Sequence, residues 1–184
     1  MKKKTNYRWL ITIVLISVTA SMVFTYASTE ILGYARFIVS FAALAVFIVL
    51  GIIFDVIGIA VTVANEAPFH SMAAHRERGA TESLRLIKNA NKVSSFCNDV
   101  VGDVTGIISG TTAALIAARL IEGLTTESII FPLLISGVVT GLTVGGKAAG
   151  KTIAINNSTV IVLRVGKLIH FLGFRKNPRK LKIK

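Results

Sequence analysis

Four polar side chains lie where polar side chains are costly. Asp55, Asn98, Asp99 and Asp103 each sit in an otherwise apolar stretch of this 184-residue chain. Asp99 and Asp103 are four residues apart, so on a helix they share a face. At about 1.5 Å per residue, Asp103 lies about 15 Å along the run that begins at Val93. Asp55 lies about 13 Å from the end of its own run at Ala64. Matched depth in two apolar segments is what a shared intramembrane site requires, and two unrelated helix-pairing groups show it equally well.

Other patterns carry less. Gly145-Gly146-Lys147-Ala148-Ala149-Gly150-Lys151-Thr152 has the spacing of a phosphate-binding loop. Such a loop needs a strand before it and an α/β sheet around it, and apolar helical segments precede this one. His70 and His75 are five apart, about 140° around a helix, so they do not share a face as metal ligands would. Cys97, the single cysteine, has no partner for an intrachain disulfide and reads as a packing residue. No nucleophile stands in a recognisable pattern with a base, which argues against an enzyme.

These residues need elements to position them, and the composition names the elements. The chain is 53% hydrophobic and only 16% charged, with mean hydropathy +0.69. That is too few charges for an ordinary soluble domain and predicts an all-α membrane protein. The net charge of +12 is clustered at Lys2, Lys3, Lys4 and Arg8, in 76–92, and after Gly146. Clusters flanking apolar spans read as positive-inside topology signals and not as a nucleic-acid footprint.

In chain order, 1–8 is a basic leader and 9–27 a first crossing. A cleaved signal peptide is the alternative for that segment, since Thr25-Tyr26-Ala27 loosely resembles a cleavage site. Phe37 to Ala64 is a second crossing, and 65–92 leaves the membrane as two short amphipathic helices broken at Gly79. Val93 to Ala118 is the third crossing and Ser128 to Val144 the fourth, with Pro132 able to kink it. Residues 158–174 carry Arg164, Lys167 and His170 at three-residue spacing, which predicts an interfacial helix and not a fifth crossing. The basic tail 175–184 suits anionic lipids. Four crossings place both termini in the cytoplasm of a multi-pass cell-membrane protein.

Two glycine rails accompany the polar residues. Gly102, Gly106 and Gly110 mark the third crossing, and Gly137, Gly141 and Gly145 the fourth. Small residues at four-residue spacing predict close helix packing, within one chain or across a homodimer.

From Phe54 to Thr105 the chain resembles the membrane domain of the CNNM/CorC family of magnesium and cobalt transport proteins. Phe54-Asp55-Val56 ends an apolar helix. The basic run ERGATESLRLIKNANKV follows, and Ser95 to Asn98 opens the next helix. The stretch Gly146 to Thr152 is similar to the family's signature at the inner end of its last crossing. The likeness spans about residues 37–170, leaving the first crossing as an extra, and implies a 37–157 transmembrane domain, a short member without CBS domains. It implies Mg²⁺ or another divalent ion as transported cargo, with Asp55, Asn98, Asp99 and Asp103 lining the path and no resident cofactor.

The departures bear on function. The glutamate of the family's last-helix signature falls on Lys147, its proline on Gly150, its first-helix glutamate on Gly58 and its middle-helix asparagine on Val101. An ammonium repels a divalent ion, so Lys147 either gates a transport path or fills the cation's place. The second option describes a non-transporting scaffold or regulatory partner with a vestigial site, stabilised by an internal ion pair.

Overall fold

The structure, a computed structural model, describes residues 7–33, 37–124 and 130–173. Helices α1 (Tyr7–Gly33) and α2 (Phe37–Val63) come first, followed by the short α3 (Glu66–Ala74) and α4 (Ala80–Lys88). Next come α5 (Ala90–Ser95), a π-helical segment (Phe96–Gly102) and α6 (Asp103–Leu124), and then α7 (Ile130–Asn156) and α8 (Ser158–Phe171). There is no strand among the described residues. Helices suit these segments because a helix satisfies its own backbone hydrogen bonds where few polar partners exist.

Four of the helices are long and apolar enough to cross a bilayer: Ile11–Glu30, Phe37–Val63, Ala90–Ile121 and Ile130–Asn156. The third is the centre of the bundle, with 44% of its most apolar window buried against none for the fourth. Its boundaries differ from those read in the sequence. It starts at Ala90, three residues before Val93, and so takes in Lys92. The last long helix runs to Asn156, well beyond Val144, so Lys147 and Lys151 lie inside it. The phosphate-loop spacing of 145–152 is therefore continuous helix, whose backbone N–H groups point along the axis and cannot cradle a phosphate. Pro132 stands in the first described turn of α7, where the missing N–H removes little. The leader through residue 6, residues 125–129 and the tail from 174 lie outside the described residues.

Two contacts set α2 antiparallel to the third span. Gly58 faces the Asn98 carboxamide, and Gly51 faces Thr105. On the other side, Gly146 of α7 faces Ile52 and Gly150 faces Val56. Helix α1 joins through the Ser28 and Thr112 hydroxyls, 3.5 Å apart. The close glycine approaches are thus Gly51, Gly58, Gly146 and Gly150. A Cβ at Gly106, Gly110, Gly137, Gly141 or Gly145 would meet nothing within 4 Å. The two rails do not meet within the chain. A groove stays open between α6 and α7 instead, lined by Gly110, Ala114, Ala118, Pro132, Ser136 and Thr140.

The basic end is closed by α3, α4 and α8. Asn65 caps α3, its Oδ1 accepting from the Ala67 N–H at 3.0 Å, and Pro68 follows in the first turn. Phe69, Ile87 and Val162 form a core with Ala60 and Val61 of α2 and Ala154 of α7. Helices α4 and α8 touch at glycine level, with Gly79 against Lys167 and Gly166 against Ser83. The buried Ser83 hydroxyl donates to the Val162 carbonyl at 3.0 Å. Ser83→Ala should cost about 1 kcal/mol, read as a fall of about 2–4 °C in melting temperature in detergent.

Candidate functional site at the α2, π-segment and α7 junction

The π-helical segment is the local irregularity around which the polar residues gather. One extra residue per turn shifts the helical face at Phe96–Gly102, and such segments often mark functional positions. Asn98 lies in it, packed where Gly58 leaves room; a Cβ on Gly58 would overlap the carboxamide. The Asn98 Nδ2 donates to Ser94 Oγ at 3.4 Å. Its Oδ1 is buried and has no hydrogen-bond donor among the described residues. A buried acceptor without a donor costs about 1–3 kcal/mol, and it is a ready ligand for a cation or a proton donor.

Along the third span beyond Asn98 runs a file of buried hydroxyls. Thr105 Oγ1 is shared between the Val101 and Gly102 carbonyls at 2.8 and 3.0 Å, and Ser109 donates to the Thr105 carbonyl at 2.7 Å. Thr112 is fully buried beside Ser28. The Thr105 and Ser109 hydroxyls bond back to their own helix, which makes them compatible with an apolar setting. Sequence reading passed over Thr105, Ser109, Thr112 and Ser28, although positions 98, 105, 109 and 112 repeat with helical period.

Lys147 reaches the same junction from α7. Its Nζ lies 3.8 Å from the position that a Cβ on Gly102 would take. Asp55 stands at this level too. The Gly58–Asn98 and Gly51–Thr105 contacts place it level with Val101 and Gly102. On the helix it falls within about 60° of Gly51 and Gly58, towards the side that Ile52 and Val56 present to α7. Asp55 and Lys147 are both half-buried.

The carboxylates themselves do not converge. Asp99 and Asp103 are exposed on the flank of the third span. Among the described residues, no three of His, Cys, Asp and Glu stand close enough to hold a metal ion. Nor does Lys147, Asp55, Asp99 or Asp103 make an ion pair among them. Asp55 and Asp103 lie at neighbouring levels of the bundle, Asp55 half-buried and Asp103 exposed. The π-helical segment changes the face on which residues after Phe96 emerge, so a regular helix does not predict where they point. Cys97 is buried and free, the second residue of the π segment. His70 faces Glu66 at 3.5 Å, and His75 ends α3.

No protein-family model, curated protein or solved structure matches the chain. The resemblance to the CNNM/CorC family therefore rests on the residues quoted for it.

Proposed function

We propose that this is a multi-pass protein of the cell membrane, with its basic end and both termini in the cytoplasm, built on a cation-transporter-like plan. In this reading the α2, π-segment and α7 junction is the cation site, and the Lys147 ammonium takes the place of a divalent ion. The observation that carries it is the reach of Lys147 to Gly102, beside a π segment that holds an unpaired Asn98 oxygen. The ammonium supplies positive charge where the family's pattern has a carboxylate, so the chain acts as a non-transporting scaffold or regulatory partner. A second copy covers the open α6–α7 groove and the exposed Asp99 and Asp103, which are expensive to leave in lipid.

A second reading, transport of Mg²⁺ or a similar divalent ion along Asp55, Asn98, Asp99 and Asp103, is favoured by the bare Asn98 Oδ1 itself. That oxygen and Asp55 would serve as hard ligands, with Lys147 as gate. Calorimetric titration of the purified chain with Mg²⁺ separates the two. The lysine-filled reading expects no binding heat. Binding by the wild type that disappears in Asp55→Asn would favour the transport reading instead.

A further inference from the structure

Helix α8 has two faces with different fates. Val162 and Gly166 are buried against α4, and Ile169 continues that side. Val160, Arg164, Lys167, Leu168 and Phe171 fall within about 100° of one another on the opposite side. Phe171 is 86% exposed, Leu168 57% and Val160 50%. The glycine contacts at Gly79 and Gly166 fix the roll of the helix, so this outer face is held in one orientation.

The three basic residues of α8 are not equivalent. Lys167 is taken by Glu77 at 3.1 Å, and His170 by Glu82 at 3.2 Å, both partners belonging to the α3–α4 side. Arg164 is exposed and makes no ion pair among the described residues. It sits one turn from both Val160 and Leu168, in the middle of the apolar face. Only Asn157 separates α8 from α7, the last helix long enough to cross a bilayer, so α8 begins at the end of a span.

We propose that the outer face of α8 binds the anionic headgroup layer of the membrane, with Arg164 on lipid phosphate and Leu168 and Phe171 in the acyl boundary. The charge and the continuity with α7 select a lipid surface over a protein partner. Lys167, whose charge is met by Glu77, and His170, which hydrogen-bonds Glu82, hold the helix to the α3–α4 side and leave lipid contact to Arg164. The inference rests on the membrane reading above and not on the role of Lys147.

The test uses the full chain carrying Trp9→Phe and Phe171→Trp, reconstituted in nanodiscs of phosphatidylcholine with or without phosphatidylglycerol. Arg175, Lys176, Arg179, Lys180, Lys182 and Lys184 are each changed to glutamine, so that the basic tail adds no lipid preference of its own. Lipid brominated near the carbonyls should quench the introduced indole, and aqueous iodide should not. Insertion should be about fivefold more favourable with the anionic lipid, the worth of one basic side chain near such a surface. Arg164→Glu should abolish that lipid preference. It should leave the melting temperature unchanged, because Arg164 holds no other element. Lys167→Gln should keep the preference while loosening α8 from α4. An indole open to iodide in both lipids overturns the proposal, as does an unchanged preference in Arg164→Glu. An indole shielded from both quenchers overturns it in favour of a protein cover. A chain that alkaline carbonate strips from membranes overturns the membrane reading as well, which separates the two failures.

Discussion

Gly79→Ala is expected to cost about 2–5 kcal/mol and to free the basic-end helices from one another. Two penalties combine. Gly79 has φ +83°, a left-handed conformation that costs an L residue about 1–2 kcal/mol. The new methyl would then lie 2.5 Å from the Lys167 nitrogen and 2.8 Å from the Gly166 carbonyl carbon, both backbone atoms. Backbone cannot swing aside as a side-chain tip can, and overpacking of this kind costs about 1–3 kcal/mol. Against a total stability of about 5–15 kcal/mol the loss is large. Gly173 supplies the control. It has φ +70° and nothing within 4 Å, so Gly173→Ala should show the conformational penalty alone. Thermal melts of both variants in detergent, with proteolysis in the 75–79 turn, check the comparison. Equal losses at the two positions would mean that the α4–α8 contact is looser than its glycines require.

The basic end was the part most legible in the sequence. Pro68, the break at Gly79 and the apolar side of Leu84, Leu86 and Ile87 each follow local rules, and the helices fall where those rules put them. Four long apolar helices were equally plain from composition. What local rules do not carry is direction. The glycine rails were read from spacing as sites of close approach within the chain or across a homodimer, and within the chain Gly106, Gly110, Gly137, Gly141 and Gly145 are open. The pattern of Gly51, Gly58, Gly146 and Gly150 does the packing, and it is irregular in spacing because each glycine answers one particular neighbour: Thr105, Asn98, Ile52 and Val56. Nor does any sequence signal announce a π-helical segment. The shift it introduces at Phe96–Gly102 decides which of Asn98, Asp99 and Asp103 faces the interior. The candidate site was therefore legible as a level in the bundle and as a set of residue types. That Asn98 and Lys147 are partly buried while Asp99 and Asp103 are exposed needed the structure.

Lys147→Glu is expected to create Mg²⁺ binding where the wild type has none. The substitution puts a carboxylate on the side from which Nζ reaches Gly102, the last residue of the π segment that also carries Asn98. Two carboxylates and a carboxamide are hard oxygen donors of the kind Mg²⁺ takes, with water completing its octahedron. Without the ion, the new carboxylate is half-buried at about the level of Asp55 with no cation beside it. Lys147→Glu should then melt below Lys147→Met, which removes the charge and adds none. Saturating Mg²⁺ should reverse that order. Ligand at a hundredfold over its Kd stabilises by about 2.7 kcal/mol, enough to move the melting temperature by several degrees, while Lys147→Met stays put. Asn98→Ala added to Lys147→Glu should weaken the binding, because it deletes one of the proposed ligands while leaving both carboxylates. Wild-type chain that binds Mg²⁺ as well as Lys147→Glu would sink the substitution of lysine for metal, since an ammonium in the site and a divalent ion beside it repel each other. Lys147 would then have to swing away from Gly102 when the ion enters, which is the behaviour of a gate.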